Sequence, residues 1–395
     1  MLSVTPTEQS QKRVCLLNRP STHNPLDKLD LTEPMIKNYI PRRKPEFLKL
    51  KNPHPRDKLI KLDKSDHSYH IFDVVSKKWT KSEHLSCSKL AEQFSTVFDD
   101  SRKYFASTRV KANLIISMKS YCEKLKTGHY KGGLEDRISH FHYKILDYYL
   151  DDTLMTVLEK YIQEQRDNPL CESTKEFRER QLKIWGDNLK RINELPLNDS
   201  YHHSNIIKGW DKARDKGTEL HEFMENILNG IPSEIKYPEW RQCVDFLKDN
   251  KHREPYRTEW EVFSERLRLN GTIDFCTVSR RDQKTGKVLS IVLWDHKRTY
   301  KIKRYEEFDE DARSGFCKKP WNHIRATARN MYSLQMSAYA LIIETEYGLK
   351  VEGMNLIIFW PANSTYIIVE CKDYRNEVKS ALESFHKNTE NATSG

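Results

Sequence analysis

The stretch from Glu259 to Lys297 constrains this chain most, because two apolar-rich runs joined by a turn each carry one aspartate. The runs are Leu269-Asn270-Gly271-Thr272-Ile273-Asp274-Phe275 and Leu289-Ser290-Ile291-Val292-Leu293-Trp294-Asp295-His296-Lys297. Both read as strands, and Asp282-Gln283-Lys284-Thr285-Gly286 between them reads as a hairpin loop. A third strand is expected just upstream, in Glu259-Trp260-Glu261-Val262-Phe263. Strand side chains alternate between faces, so Asp295 and Lys297 should share one face. The same rule puts Asp274 on the even-numbered face, opposite Leu267, Leu269, Ile273 and Phe275.

An aspartate inside such a strand is disfavoured by propensity and costly to bury without a partner. The bland reading of Asp274 is the exposed face of an edge strand. Asp295 follows a longer apolar run, which strengthens the case against chance. Two carboxylates meeting across a hairpin suit a divalent cation that keeps open positions for water and phosphate. A lysine beside them suits orientation of that water, or neutralisation of charge building on a phosphorane. The arrangement therefore points to metal-assisted phosphodiester cleavage.

Composition is compatible with this. Lys+Arg minus Asp+Glu is 67 − 57 = +10 over 395 residues, which favours an anionic partner such as nucleic acid. A hydrophobic fraction of 37% beside a charged fraction of 31% points to much surface relative to core, with extended tails. The eight cysteines are scattered with no CxxC pair, so neither a zinc ribbon nor an iron–sulfur cluster is expected. No apolar run is long enough to span a membrane, and no hydrophobic leader opens the chain. These points predict an intracellular protein with reduced thiols and no membrane partner; nucleus, mitochondrion and viral replication site all remain open.

Residues 1–64 read as a basic, disordered tail, with an address or DNA-tethering arm as the sharper alternative. Residues 65–210 read as a lead-in followed by a helical subdomain. The lead-in holds a strand near Tyr69–Asp73 and a helix over 86–104; the helices of the insertion span 108–195. The catalytic core is placed at 211–375, and a flexible tail at 376–395. Within the core, a helix from Asp211 to Leu228 carries the stripe Leu220, Phe223, Met224, Ile227 and Leu228. A second helix spans Arg325–Tyr347, and strands at 355–360 and 366–370 close the domain. This order of elements predicts an α/β fold with a mixed central sheet flanked by helices, plus the helical insertion.

Other candidates have two readings each. His221 and Glu225 lie four apart, on one flank of the first core helix, and a histidine there is more often packed or solvated than functional. Glu259 either completes a metal shell or pairs with Arg257 or Arg266, the commoner fate. Gln335 and Tyr339 share a helix face, either as surface and core residues or as a pair reaching a phosphate or base. The run Lys297 to Arg304, with Arg298, Lys301, Lys303 and Arg304, is either a solvated loop or a hold on a phosphate backbone.

Taken in order, Gly217-x3-His221, Gly271-x2-Asp274, Asp295-x-Lys297 and Gln335-x3-Tyr339 resemble the RecB-like branch of the PD-(D/E)XK nuclease superfamily. The resemblance covers roughly 211–371 and implies a restriction-endonuclease-like core. It implies Mg²⁺ or Mn²⁺ held by His221, Asp274, Asp295 and the main-chain carbonyl of His296, with Lys297 as catalytic lysine. Glu225 would support this shell, and Gln335 and Tyr339 would contact substrate. Two positions depart from the family pattern: His296 stands where an aromatic residue is usual, and Arg298 where a small hydroxyl residue is frequent. The cysteines that hold an iron–sulfur cluster in some relatives are missing. No Gly-x4-Gly-Lys-Ser/Thr motif is present, so a helicase would be a separate partner. The implied activity is a DNA exonuclease acting on ends or single strands in replication, recombination or repair. A structure-specific endonuclease and a catalytically silent DNA-binding scaffold are the alternatives.

Overall fold

The computed structural model describes residues 46–94, 199–299, 315–360 and 365–383, together with isolated helical positions between 116 and 194. Most of the expected helical insertion, the far end of the 86–104 helix, the basic residues Lys301, Lys303 and Arg304, and both outer tails lie outside the described residues.

The described chain starts with a short helix α1 (Phe47–Lys51), a 3-10 turn (Pro55–Lys58) and strands β1 (Ile60–Asp63), β2 (Ser68–Asp73) and β3 (Lys78–Lys81). These three strands form their own antiparallel sheet. The tail expected over 1–64 is therefore folded from Glu46 onward. Its lack of periodicity has a physical cause: its elements are short, and each is fixed by contacts made far along the chain. Leu48 is fully buried, its N–H bonded to Asn229, and Asp57 accepts hydrogen bonds from Arg257 and Trp260.

The central sheet is mixed. Its strands are β4 (Leu85–Ser86), β5 (Pro255–Ser264), β6 (Leu269–Arg281), β7 (Val288–Arg298), β8 (Lys350–Phe359) and β9 (Ile367–Glu370). The order is β4-β6-β7-β8-β9, with β5 also paired to β6; β4–β6 and β7–β8 are parallel and the other pairs antiparallel. The turn between β6 and β7 forms as its sequence predicts. Asp282 Oδ1 accepts the N–H groups of Lys284 and Thr285, and Gly286 takes the φ of +71° that the turn needs.

Helices cover both faces. On one side, α3 (Asp199–Leu228) and α4 (Pro238–Asp249) bury Leu220, Phe223, Met224, Ile227, Trp240 and Phe246 against Phe275, Trp294, Ile357 and Phe359. Helix α3 starts earlier than its apolar stripe indicates, and α4, with Pro238 in its first turn, is an element the sequence reading missed. On the other side, α2 (Cys87–Phe94) and α5 (Ala328–Glu346) pack Leu90, Leu334, Ala338 and Ile342 over Trp260, Ile273, Leu293 and Leu356. Helix α5 is capped by the Thr327 side chain, which accepts the Asn330 N–H, and it is followed by Gly348 at φ +64°.

The expected flexible tail from 376 is helical over 375–383, here α6, and buries Val378, Ala381 and Leu382. The segment before it is tied to α5, where Ser333 and Ser337 accept the N–H groups of Lys372 and Tyr374. Among the described residues no helix is long and apolar enough to cross a membrane. The fold is thus α/β, with a mixed sheet flanked by helices.

Candidate metal centre

The candidate site lies where β6 and β7 part. The β6–β7 ladder runs from Arg281↔Val288 to Phe275↔Trp294, whereas β4 pairs with the same edge of β6 only at Leu269 and Asn270. Between them the edge from Gly271 to Asp274 opens. Strand β7 continues along β8, with Asp295 opposite Leu356 and Lys297 opposite Ile358. At the parting, Asp274 Oδ2 accepts the His296 main-chain N–H at 2.8 Å, so a side chain takes over where the ladder bonds end.

The pleat also breaks there. Phe275 faces α3 and α4, and Thr258, its partner on β5, bonds to Asn229 just beyond α3. Yet Ile273 and its partner Trp260 lie in the core under α5. Residues two apart should share a face, so alternation slips in both strands at the Glu259/Asp274 position. Glu259 has φ +42°, a left-handed conformation that is rare for a non-glycine residue inside a strand. The expectation that Asp274 stands opposite both Ile273 and Phe275 is corrected by this slip. Backbone strain of this kind clusters at functional sites.

Around the opening, His221 on α3 points its Nδ1 to within 3.5 Å of Asp274 Oδ2 and 3.6 Å of Glu259 Oε1. Burial opposes charge on this imidazole, but the Asp274 and Glu259 carboxylates outweigh it and push its pKa up to about 9. Glu259 thus belongs to the site. Of the two arginines expected as its partner, Arg257 is engaged elsewhere, pairing with Asp57 at 2.8 Å. Glu225 follows one turn after His221 on α3 and is half-buried.

Asp295 and Lys297 share a face as predicted, and Lys297 Nζ lies 2.8 Å from Asp295 Oδ2. Burial raises the Asp295 carboxyl pKa, while the lysine charge pulls against it. Burial likewise opposes the lysine charge, but Asp295 and Asp274 together hold Lys297 protonated above the ordinary lysine range. Its ammonium also lies 4.9 Å over the ring of Tyr332 on α5, a contact the sequence reading missed.

His296 projects to the opposite face, its ring against Phe275 and Phe359 and 5.8 Å from the His221 ring. It is 2% exposed, neither ring nitrogen has a hydrogen-bond partner, and burial depresses its pKa. The imidazole is therefore neutral. His221, Asp274 and His296 offer ligand atoms that all lie within 4.8 Å of one another. The expected His296 carbonyl ligand is thus accompanied by a different observation: the side chain reaches the cluster.

Two expected substrate contacts, Arg298 and Tyr339, are reinterpreted. Arg298 is buried in an ion pair with the equally buried Glu239 of α4 (Nε–Oε1 2.6 Å) and stacks over Trp360, so it braces the end of β7. Tyr339 is 4% exposed and is packed against Gly271, where an added Cβ would come within 2.6 Å of its Cε1. Its hydroxyl accepts a 3.4 Å hydrogen bond from Gln335, the partly exposed member of the pair. The glycine of Gly-x2-Asp is thus explained by close approach of an aromatic ring. Comparison of the chain with protein-family models and with curated proteins finds no match.

Proposed function

We propose that this chain is a Mg²⁺- or Mn²⁺-dependent DNA nuclease, acting as an exonuclease on DNA ends or single strands. The observation carrying this reading is the opening between β6 and β7, where Asp274, Asp295, Lys297 and His221 converge on the end of one hairpin. The donor set fits a divalent cation. Carboxylates suit Mg²⁺ and Mn²⁺, an imidazole tilts the preference toward Mn²⁺, and the unpartnered ring nitrogens of His296 are a cost that a ligand would offset. His221, Asp274 and Asp295 would hold it as the resemblance implies, and the His296 ring is within reach of the first two. When bound, such an ion polarises a phosphoryl group and favours attack by water at neutral pH.

The protein groups have separable tasks. The His296 N–H fixes the rotamer of Asp274, and Lys297, itself half-buried, anchors the buried Asp295. Held as a cation, Lys297 serves to neutralise charge growing on the phosphoryl oxygens rather than to accept a proton. Glu259 adds negative charge beside His221. The net charge of +10 supports a polyanionic substrate. Replication, recombination and repair all use such an activity, and strand separation would be supplied by a separate helicase.

The test is incubation of the purified protein with end-labelled linear single-stranded and duplex DNA and with closed circular single-stranded DNA, in Mg²⁺, Mn²⁺ or EDTA. Linear DNA should be degraded in metal only, while the circle persists. Rapid cutting of the circle would assign an endonuclease. Binding without cleavage in either metal would leave a DNA-binding scaffold.

A further inference from the structure

The small sheet β1–β3 carries an outward face that the metal centre does not use. Its register sets Lys61, His70 and Lys81 in one cross-strand row and Phe72 and Trp79 in the next. Trp79 is 40% exposed, whereas Trp240, Trp260, Trp294, Trp321 and Trp360 are each 6% exposed or less. Every residue of β3 is exposed, so its tryptophan contributes nothing to either core. The ring is nonetheless held in place, with Phe72 at a centroid distance of 5.4 Å and the Lys61 ammonium 4.5 Å above it. Lysines from Lys58 to Lys81 number six, against three exposed aspartates, one of which (Asp66) pairs with Lys81. The hairpin tip beyond Phe72 adds the exposed Val74 and Val75. The inner face of the same sheet reaches the opened edge of β6, where the Tyr69 hydroxyl and Thr272 Oγ1 share a 2.9 Å hydrogen bond two residues before Asp274.

We infer that this outer face is a stacking platform for single-stranded nucleic acid, which feeds a strand toward the opening between β6 and β7. The inference rests on the nuclease reading and names where its substrate binds. The exposed Trp79, backed by the half-buried Phe72, offers a π-face to unstacked bases, and interleaved lysines neutralise the backbone, which is how sequence-tolerant single-strand binders work. A duplex keeps its bases stacked inside and gains only the charge component.

The test uses the full chain in EDTA, with anisotropy of a labelled thymidine 20-mer and of a 20-base-pair duplex. Trp79→Ala should weaken single-strand binding about tenfold and duplex binding little, and Trp79→Phe should restore most of the loss. Should Trp79→Ala not fold, photocrosslinking of a 5-iodouridine oligonucleotide to the wild-type chain decides instead, with adducts expected between Phe72 and Trp79. Unchanged single-strand affinity, or adducts only outside β1–β3, would overturn the platform. So would equal losses on both DNAs that phenylalanine does not restore. Sedimentation showing a dimer that Trp79→Ala dissociates, with DNA affinity intact, would give the face to a second copy and overturn it too. Cleavage of the same 20-mer in Mn²⁺ is read separately, so a failed platform is distinguishable from a failed nuclease.

Discussion

Asp274 accepts the main-chain N–H of His296 at 2.8 Å, at the point where the β6–β7 ladder ends. One carboxylate therefore serves the fold and the proposed metal at once, and substitutions should separate the two roles. Asp274→Asn keeps an oxygen acceptor for the His296 N–H; Asp274→Ala leaves that buried donor unpaired, a cost of about 1–3 kcal/mol. Both variants should lose cleavage, but in thermal melts Asp274→Asn should stay near wild type and Asp274→Ala should fall well below it. Full activity in either would remove Asp274 from the metal site.

Lys297 makes a different prediction, because its charge is held by Asp295 and Asp274 and its ammonium lies over Tyr332. Lys297→Ala should lower turnover by about 10²-fold or more at saturating metal, in line with loss of one transition-state donor. Metal affinity measured by calorimetry should change little. Lost metal binding with normal turnover at saturation would make the lysine an organiser of the site alone.

These side chains were legible in the sequence because strand period and hairpin spacing are local signals. Asp295 and Lys297 share a face for the reason their alternation gives. Asp274 was found, but its surroundings were not, since the slip at Glu259 depends on a left-handed backbone that no residue preference announces. Arg257 and Arg266 are the partners that sequence proximity offers Glu259; Asp57, some two hundred residues away, takes Arg257 instead. The folded segment 46–63 escapes because its apolar positions are few and find partners only in the assembled sheet, whereas helix α4 is legible in principle, since Trp240, Cys243, Val244 and Leu247 recur at helical spacing behind Pro238.

Gly271 and Tyr339 offer a test of packing that is independent of metal. A Cβ at Gly271 would sit 2.6 Å from Tyr339 Cε1, and both residues are buried. Gly271→Ala should therefore cost about 1–3 kcal/mol, as overpacking of a close contact does. In a Tyr339→Leu background the same change should cost much less, because the smaller side chain yields the space. Denaturant melts of the four proteins close this double-mutant cycle, and additive losses would show that the two sites are not in contact.

Arg298 leads to a stability prediction where a binding role was expected. Its guanidinium and the Glu239 carboxylate are both buried and paired at 2.6 Å. Arg298→Ala strands a buried carboxylate and should cost about 3–5 kcal/mol of stability. DNA affinity of the folded fraction, measured in EDTA, should be close to wild type. A large loss of affinity with an unchanged melt would return Arg298 to the substrate surface.

The pair between Asp57 and Arg257 gives the pH dependence its sign. Burial raises the Asp57 pKa, but hydrogen bonds and charge from Arg257, with the His54 N–H and Trp260, hold it below the ordinary value of 3.8. A carboxylate depressed in the folded state contributes stability above its unfolded pKa and loses it as pH falls through the folded value. At pH 7 Asp57→Asn should thus be less stable than wild type by about 3 kcal/mol, because it leaves the Arg257 charge buried without its partner. As pH falls below 3.8 the unfolded chain takes up the proton first and the folded carboxylate only below its own depressed value, so the two melting curves should draw together from there and meet below the folded value. A gap that stays constant from pH 7 to pH 3 would mean that the ion pair contributes nothing to holding the 3-10 turn against β5.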